Sequence, residues 1–188
     1  MIQDPSLNAE MSHYFIVAGK NDFVEYKKDY ENVFTDKTIL TKMISNSLQI
    51  KKSYIEIDEF DKYERQVFNY GHSFGHAIES LTDYAVPHGI AVSFGMDIAN
   101  YVSTKRKYLA ETVRLEIREF LEKIWSGYDI KNINLDKFAI ALSKDKKNVG
   151  QELQLILCKG YGKVFKVAQN LDAEFKEWLR DYFKYELK

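Results

Sequence analysis

The chain has 188 residues, of which 45% are hydrophobic and 29% are charged, and its formal net charge at pH 7 is −1. This composition is ordinary for a soluble globular domain, and the near-neutral charge argues against a nucleic-acid partner or an acidic membrane surface. A single cysteine excludes an internal disulfide and predicts a cytoplasmic protein. The sequence shows no leader-like start and no apolar run long enough to span a membrane. Its length predicts one domain over residues 1–188.

Apolar residues recur at helical spacing through most of the chain, and turn residues divide this pattern into segments. Asn8 and Asp36 precede two of the segments and are candidate N-caps. Short β-like runs over residues 153–158 and 163–167 flank a Gly-Tyr-Gly turn and predict a hairpin. The fold class is therefore mainly α-helical, with a small C-terminal β hairpin. Helices are predicted, in chain order, over residues 9–17, 21–34, 37–57, 64–81, 87–107, 111–125, 135–144 and 171–187.

Three of the four histidines lie in one stretch of the chain. His72 and His76 are four residues apart, which places them on one face of a helix. His88 follows Pro87, a residue that can open the next helix at its first turn. Two antiparallel helices would bring the three imidazoles together, and imidazoles converging with a carboxylate are ligands that zinc prefers. The alternative is that these histidines pack in a core, which is the commoner case for a single histidine.

Residues 65–79 read R-x-x-x-N-x-G-H-S-x-G-H-A-x-E, and residues 88–96 read H-G-x-A-V-x-x-G-M. A lone H-x-x-x-H is weak evidence for a metal site, but this longer pattern is specific. It resembles the metal-binding signature of the 3-dehydroquinate synthases, which belong to the sugar phosphate cyclases. The resemblance implies a fold like the C-terminal half of those lyases. It also implies a role in phosphate elimination and carbocycle formation in the shikimate pathway of aromatic amino acid biosynthesis.

The resemblance implies roles for individual residues around the histidines. Glu10, His72 and His88 would bind the metal, zinc or another divalent ion. His76 would not be a ligand, although its spacing alone would allow it. His76 and Asn69 would instead lie beside the substrate phosphate, where His76 would assist proton transfer.

Two further groups of cations match the family pattern. Lys51 and Arg65 would contact the substrate, above all its carboxylate. In the run over residues 145–148, Lys146 is the first candidate to hold the substrate phosphate and Lys147 the second. The alternative for the segment between Lys51 and Arg65 is a solvated helix end followed by an acidic loop.

Four positions depart from the family pattern. Leu7 stands where a glycine is usual, and His13 stands where a lysine is usual. Asp61 replaces a glutamate and keeps its charge, whereas Ile90 replaces an acidic residue. The last change removes a polar group from the neighbourhood of the implied metal.

Hydride transfer in this family uses NAD, which an N-terminal α/β domain binds. No strand followed by a glycine-rich turn into a helix is found in this sequence. The resemblance thus covers essentially all 188 residues but only the C-terminal half of a complete enzyme. We therefore expect an N-terminal NAD-binding half as partner and no turnover by this chain alone; homo-oligomerisation is left open.

Two other functions stay open on the sequence. One is a cyclase that acts on a different sugar phosphate rather than on a keto-acid phosphate. The other, from a different class, is a non-catalytic helical remnant or binding module that keeps the motif for stability. Metal content together with an activity assay distinguishes these functions from the first.

Overall fold

The computed structural model describes residues 5–145, 148 and 152–187. This part of the chain consists of α-helices and one antiparallel hairpin, with two short 3₁₀ segments and a terminal π turn. Among the residues that the structure describes, none of the helices has the length and apolar character that crossing a bilayer requires. The elements are α1 (Pro5–Ala18), α2 (Lys20–Asp29), α3 (Lys37–Ile57), α4 (His72–Leu81), α5 (His88–Lys105), α6 (Glu111–Ile124), α7 (Leu135–Ser143), β1 (Glu152–Cys158), β2 (Val164–Asn170) and α8 (Ala173–Asp181).

Helix α5 forms the centre of the fold. Every residue from Gly89 to Ser103 is buried, and α1, α4, α6 and β1 all pack against this helix. A helix that is largely apolar on all sides is stable only inside such a shell. The N-terminal residue of α5, His88, is consequently held on a rigid element at the edge of the core.

Glycines bring α4 and α5 into direct backbone contact. A Cβ atom added to Gly95 would lie 2.0 Å from the carbonyl oxygen of Gly71, and one added to Gly75 would lie 3.0 Å from Cα of Val92. No side chain fits at this crossing, so the glycines set the separation of the two helices. That separation fixes how far the histidines of α4 lie from His88.

The helix predicted over residues 64–81 is not continuous, and this prediction was wrong. A 3₁₀ segment covers Glu64–Asn69, and α4 begins only at His72. Between them Gly71 adopts the left-handed conformation, with φ 81°. The close contact with α5 requires this turn, because the backbone of Gly71 lies directly against Gly95.

The other boundaries follow the sequence more closely. Helix α1 begins at Pro5, so Asn8 lies inside it and is not its N-cap, contrary to the prediction. Asp36 caps α3 as predicted, since its carboxylate accepts hydrogen bonds from the backbone N–H of Thr38 and Ile39 at 2.7 and 3.3 Å. The segment over residues 21–34 tightens into 3₁₀ geometry at Tyr30.

The predicted hairpin is present. Strands β1 and β2 pair antiparallel, from Glu152 opposite Asn170 to Cys158 opposite Val164. Strand β1 packs on α5, where the backbone N–H of Cys158 donates to Oγ of Ser103 at 3.1 Å. The last predicted helix ends earlier than expected, at Asp181, and continues as a π turn.

Candidate metal and substrate site

Three helices bring a carboxylate and two imidazoles together. Glu10 comes from α1, His72 opens α4 and His88 opens α5. One ligand atom from each of these side chains lies within 4.8 Å of the other two, and all three residues are half-buried. The sequence-based expectation that the histidines converge is therefore confirmed: the ring centroids of His72 and His88 are 5.4 Å apart.

The two imidazoles are held by their Nδ1 atoms. Nδ1 of His72 lies 3.2 Å from the carbonyl oxygen of Tyr70, and Nδ1 of His88 lies 3.1 Å from Oε2 of Glu79. Because both partners are acceptors, Nδ1 is the donor in each ring, and in a neutral ring the lone pair then lies on Nε2. Burial lowers the pKa of His72 to about 2, so this ring is neutral at physiological pH. This is the protonation state that a metal ligand requires.

Glu79 is a positioning residue that the sequence reasoning left without a role. It is only 8% exposed and its hydrogen bond to His88 orients that ring. Histidine ligands of metals almost always donate their second N–H to such a carboxylate or carbonyl group. The available signal was the glutamate that ends the motif of residues 65–79.

His13 is the second residue whose part was not foreseen. It lies one turn after Glu10 on α1, is 1% exposed, and donates from Nδ1 to the carbonyl oxygen of Glu10. Its ring centroid is 5.3 Å from that of His72, and its Nε2 has no hydrogen-bond partner among the described residues. Burial lowers the pKa of His13 to about 4. Where a lysine is usual in the family, this chain therefore places a neutral ring.

Lys51 and Arg65 both lie near Tyr14. Nζ of Lys51 is 5.9 Å from the centre of the Tyr14 ring, and the guanidinium of Arg65 donates to the carbonyl oxygen of Glu59 at 2.8 Å. Burial raises the pKa of Tyr14, and the positive charges of both side chains act against this rise. A cavity of about 190 Å³ adjoins Tyr14, Lys51 and Glu10. Lys51 thus lies beside the predicted metal ligand Glu10, and Arg65 is close enough for its charge to act on Tyr14.

Asp58 builds the loop that carries Arg65. The residue is 6% exposed, and its carboxylate accepts hydrogen bonds from the backbone N–H groups of Lys62, Tyr63 and Arg65 at 3.0, 2.7 and 3.1 Å. Burial acts to raise the pKa of Asp58, but these hydrogen bonds outweigh it and the pKa is lowered. An acidic tract that reads as solvated in the sequence therefore contains one structural carboxylate.

The residues predicted to contact the phosphate line different cavities. His76 is exposed and borders a cavity of about 400 Å³ with Lys144 and Asp145. Asn69 borders another cavity, of about 280 Å³, together with Lys166 of β2. Lys146 and Lys147 lie outside the described residues.

The comparison with known proteins identifies the family. A sequence profile for the C-terminal part of 3-dehydroquinate synthase matches residues 8–148. The chain belongs to the 3-dehydroquinate synthase family. It is 33% identical over 147 residues to 3-dehydroquinate synthase of Campylobacter jejuni, and the alignment covers 77% of this chain and 42% of that protein. It is 29% identical over 181 residues to the enzyme of Alkaliphilus metalliredigens, covering 89% of this chain and 51% of that protein. The chain thus spans about half the length of these family members.

Solved structures with the same fold are sugar phosphate cyclases. A 2-deoxy-scyllo-inosose synthase in complex with carbaglucose-6-phosphate, NAD+ and Co2+ superposes with a TM-score of 0.80 at 24% identity, covering 94% of this chain and 51% of that one. The 2-epi-5-epi-valiolone synthase of Streptomyces hygroscopicus, with NAD+ and Zn2+ bound, gives a TM-score of 0.68 at 19% identity, covering 93% and 50%. At these identities the likeness establishes the cyclase fold and no residue roles.

Proposed function

We propose that this chain is the metal- and substrate-binding half of a 3-dehydroquinate synthase-like cyclase, a phosphate-eliminating carbon–oxygen lyase that uses zinc and NAD. The observation that carries the proposal is the convergence of Glu10, His72 and His88. Both imidazoles are anchored through Nδ1, so their lone pairs are available to a metal. When bound, the metal supplies Lewis acidity towards a substrate hydroxyl, and NAD supplies the hydride acceptor.

The remaining residues bind and orient the substrate. Lys51 and Arg65 take its carboxylate, for which a guanidinium offers paired, charge-assisted hydrogen bonds. The loop held by Asp58 supports this role, since a fixed backbone at Arg65 reduces the freedom that binding must remove. His76, which is exposed to an open cavity, transfers protons near the substrate phosphate.

Asn69 and the cation Lys146, with Lys147 as the second candidate, hold the phosphate. The support for the two lysines is their match to the family motif, which follows Asp145 in the sequence; Asp145 itself lines the same cavity as His76. Asn69 borders a separate cavity, which Lys166 of β2 also lines.

The NAD-binding partner of this chain is a counterpart of the N-terminal half of full-length family members. Two observations support this part of the proposal. The curated relatives are about twice the length that this chain spans, and both solved cyclases named above were determined with NAD+ bound.

Metal analysis of single variants tests the ligand set. His72→Ala and His88→Ala should lose the tightly bound zinc ion, because each removes one of three ligands, whereas His76→Ala should retain it. If His76→Ala loses the tight ion as completely as the other two, the assignment of the ligands is wrong. Circular dichroism spectra establish that the variants are folded.

A cyclase for another sugar phosphate is the second candidate, and one observation favours it. His13 is a buried neutral ring beside the metal ligands, where a lysine is usual in the family. The site thus has one cation fewer with which to attract an anionic substrate. To decide between the two, the reconstituted enzyme is assayed with a keto-acid phosphate and with a sugar phosphate that has no carboxylate, and the two turnover rates are compared.

A further inference from the structure

A second group of side chains that could hold a metal ion lies between α4 and α5 and shares His88 with the first. The ligand atoms of His76, Glu79 and His88 also lie within 4.8 Å of one another. His76 and Glu79 are three residues apart and so lie on one face of α4, which packs against α5. Two imidazoles and a carboxylate form a ligand set that zinc and other divalent transition metals accept, with further coordination positions left to water.

The two groups use different nitrogens of the His88 ring. Nδ1 faces Oε2 of Glu79 at 3.1 Å, which leaves Nε2 for the group with Glu10 and His72. Glu79 is a buried residue, and its Oε2 contacts Nδ1 of His88. His76 is exposed, with its ring centroid 5.7 Å from that of His88, so an ion can reach this group directly from solvent.

We propose that His76, Glu79 and His88 form a second divalent-metal position that fills only after the first. Binding there displaces the hydrogen from Nδ1 of His88, which leaves as a proton to solvent while the nitrogen lone pair binds the ion. It also sets a second dication close to the first, and the repulsion between them weakens binding. Zinc in excess therefore occupies this position, whereas limiting zinc does not.

Occupation of the second position has a consequence for catalysis, which rests on the proposed function. An ion bound to His76 takes the lone pair of its unprotonated nitrogen, so this side chain can no longer accept a proton as a general base. Excess zinc then inhibits the cyclase, and chelation of the weaker ion restores its activity.

Equilibrium dialysis against Zn2+ with elemental analysis tests the position on the full chain without a histidine tag. The wild-type chain should take up one ion at limiting zinc and a second, more weakly bound ion at excess zinc. His76→Ala should lose the second ion alone, and His72→Ala should bind a single weak ion. Glu56→Gln, which alters an exposed carboxylate of α3, is the matched control and should behave as wild type.

The outcomes distinguish this inference from the proposed function. A wild-type chain that never takes up more than one ion, or a His76→Ala chain that still binds the second, overturns the second position. If instead His76→Ala loses the tight ion and His72→Ala keeps it, the ligand set of the proposed function fails. The position at His76, Glu79 and His88 would then hold the tight ion, and the proposed order of filling would be overturned with it.

Discussion

At the scale of single residues, we expect the hydrogen bond between Glu79 and His88 to set the affinity for the proposed metal ion. Glu79→Ala leaves the Nδ1–H of His88 without its buried acceptor, and loss of such a partner typically lowers metal affinity about 10–100-fold. Glu79→Gln keeps an amide oxygen at the same place and should lose less. Competition with a chromophoric chelator measures the affinity of the tight ion in each variant. An alanine variant with wild-type affinity would contradict the positioning role.

Arg65 should discriminate between substrates. If its guanidinium binds the substrate carboxylate, Arg65→Ala should lower kcat/KM for a keto-acid phosphate. The loss should correspond to a rise of a few kcal/mol in the activation free energy. For a sugar phosphate without a carboxylate the loss should be much smaller. Steady-state kinetics of the reconstituted enzyme on both substrates provide the measurement. Equal losses on the two substrates would remove the argument for a carboxylate.

At the scale of elements, the backbone contact between α4 and α5 controls the geometry of the site. In Gly95→Ala the new Cβ atom would lie 2.0 Å from the carbonyl oxygen of Gly71, so the helices must move apart. We expect a loss of about 3 kcal/mol in the free energy of unfolding, together with weaker metal binding, because His72 moves away from His88. Urea denaturation and metal titration provide the two measurements.

Gly127→Ala is the control for this substitution. Gly127 has φ 89° but no heavy atom within 4 Å of an added Cβ. Gly127→Ala should therefore lower the free energy of unfolding by only about 1 kcal/mol, the cost of holding alanine in the left-handed conformation. Its metal affinity should be that of the wild-type chain. Equal destabilisation by the two substitutions would show that steric overlap at the crossing is not the cause.

At the scale of the whole molecule, buried titratable groups make stability depend on pH. Burial lowers the pKa of His13 to about 4 and that of His72 to about 2, so below pH ~6.5 the unfolded chain binds protons that the native chain does not. Burial raises the pKa of Asp97 to about 6, and its protonation in the native state partly offsets this loss as the pH falls. The two histidines lower the free energy of unfolding as the pH falls, and Asp97 raises it by less. The metal-free chain should therefore be about 2 kcal/mol less stable at pH 5 than at pH 7.

Urea titrations of the metal-free chain at several pH values test this balance. His13→Gln removes one of the two destabilising groups, so the loss between pH 7 and pH 5 should shrink to less than about 1 kcal/mol. A variant with the same pH dependence as the wild-type chain would mean that His13 is not held neutral in the native state.

Turnover should require the other half of the enzyme. The described helices carry the proposed metal and substrate ligands, but hydride transfer needs a bound nicotinamide. A site that lacks one wall also leaves its charges screened by water. We therefore expect no cyclase activity from the zinc-loaded chain with NAD, and activity after addition of a separately expressed N-terminal half from a family member. Turnover by the chain alone would contradict this expectation.

The sequence by itself determined the helical character of the domain, the C-terminal hairpin and the approach of the histidines. These features depend on local patterns: the 3.6-residue period of α3, the cap at Asp36, and the four-residue spacing of His72 and His76. Local propensities need no distant contact to be expressed, so they can be inferred from neighbouring residues alone. The family motif singled out Glu10, His72 and His88, whose ligand atoms the fold brings within 4.8 Å of one another.

Only the tertiary structure decided how the site is held. The helix predicted through Gly71 breaks because Gly95, distant in sequence, presses its backbone against that turn. The orientation of His88 depends on a buried carboxylate in another helix, and the neutral state of His13 depends on the helices that exclude water from it. Steric contact, hydrogen-bond partners and desolvation all arise between segments far apart in the chain, and for that reason no local pattern predicts them.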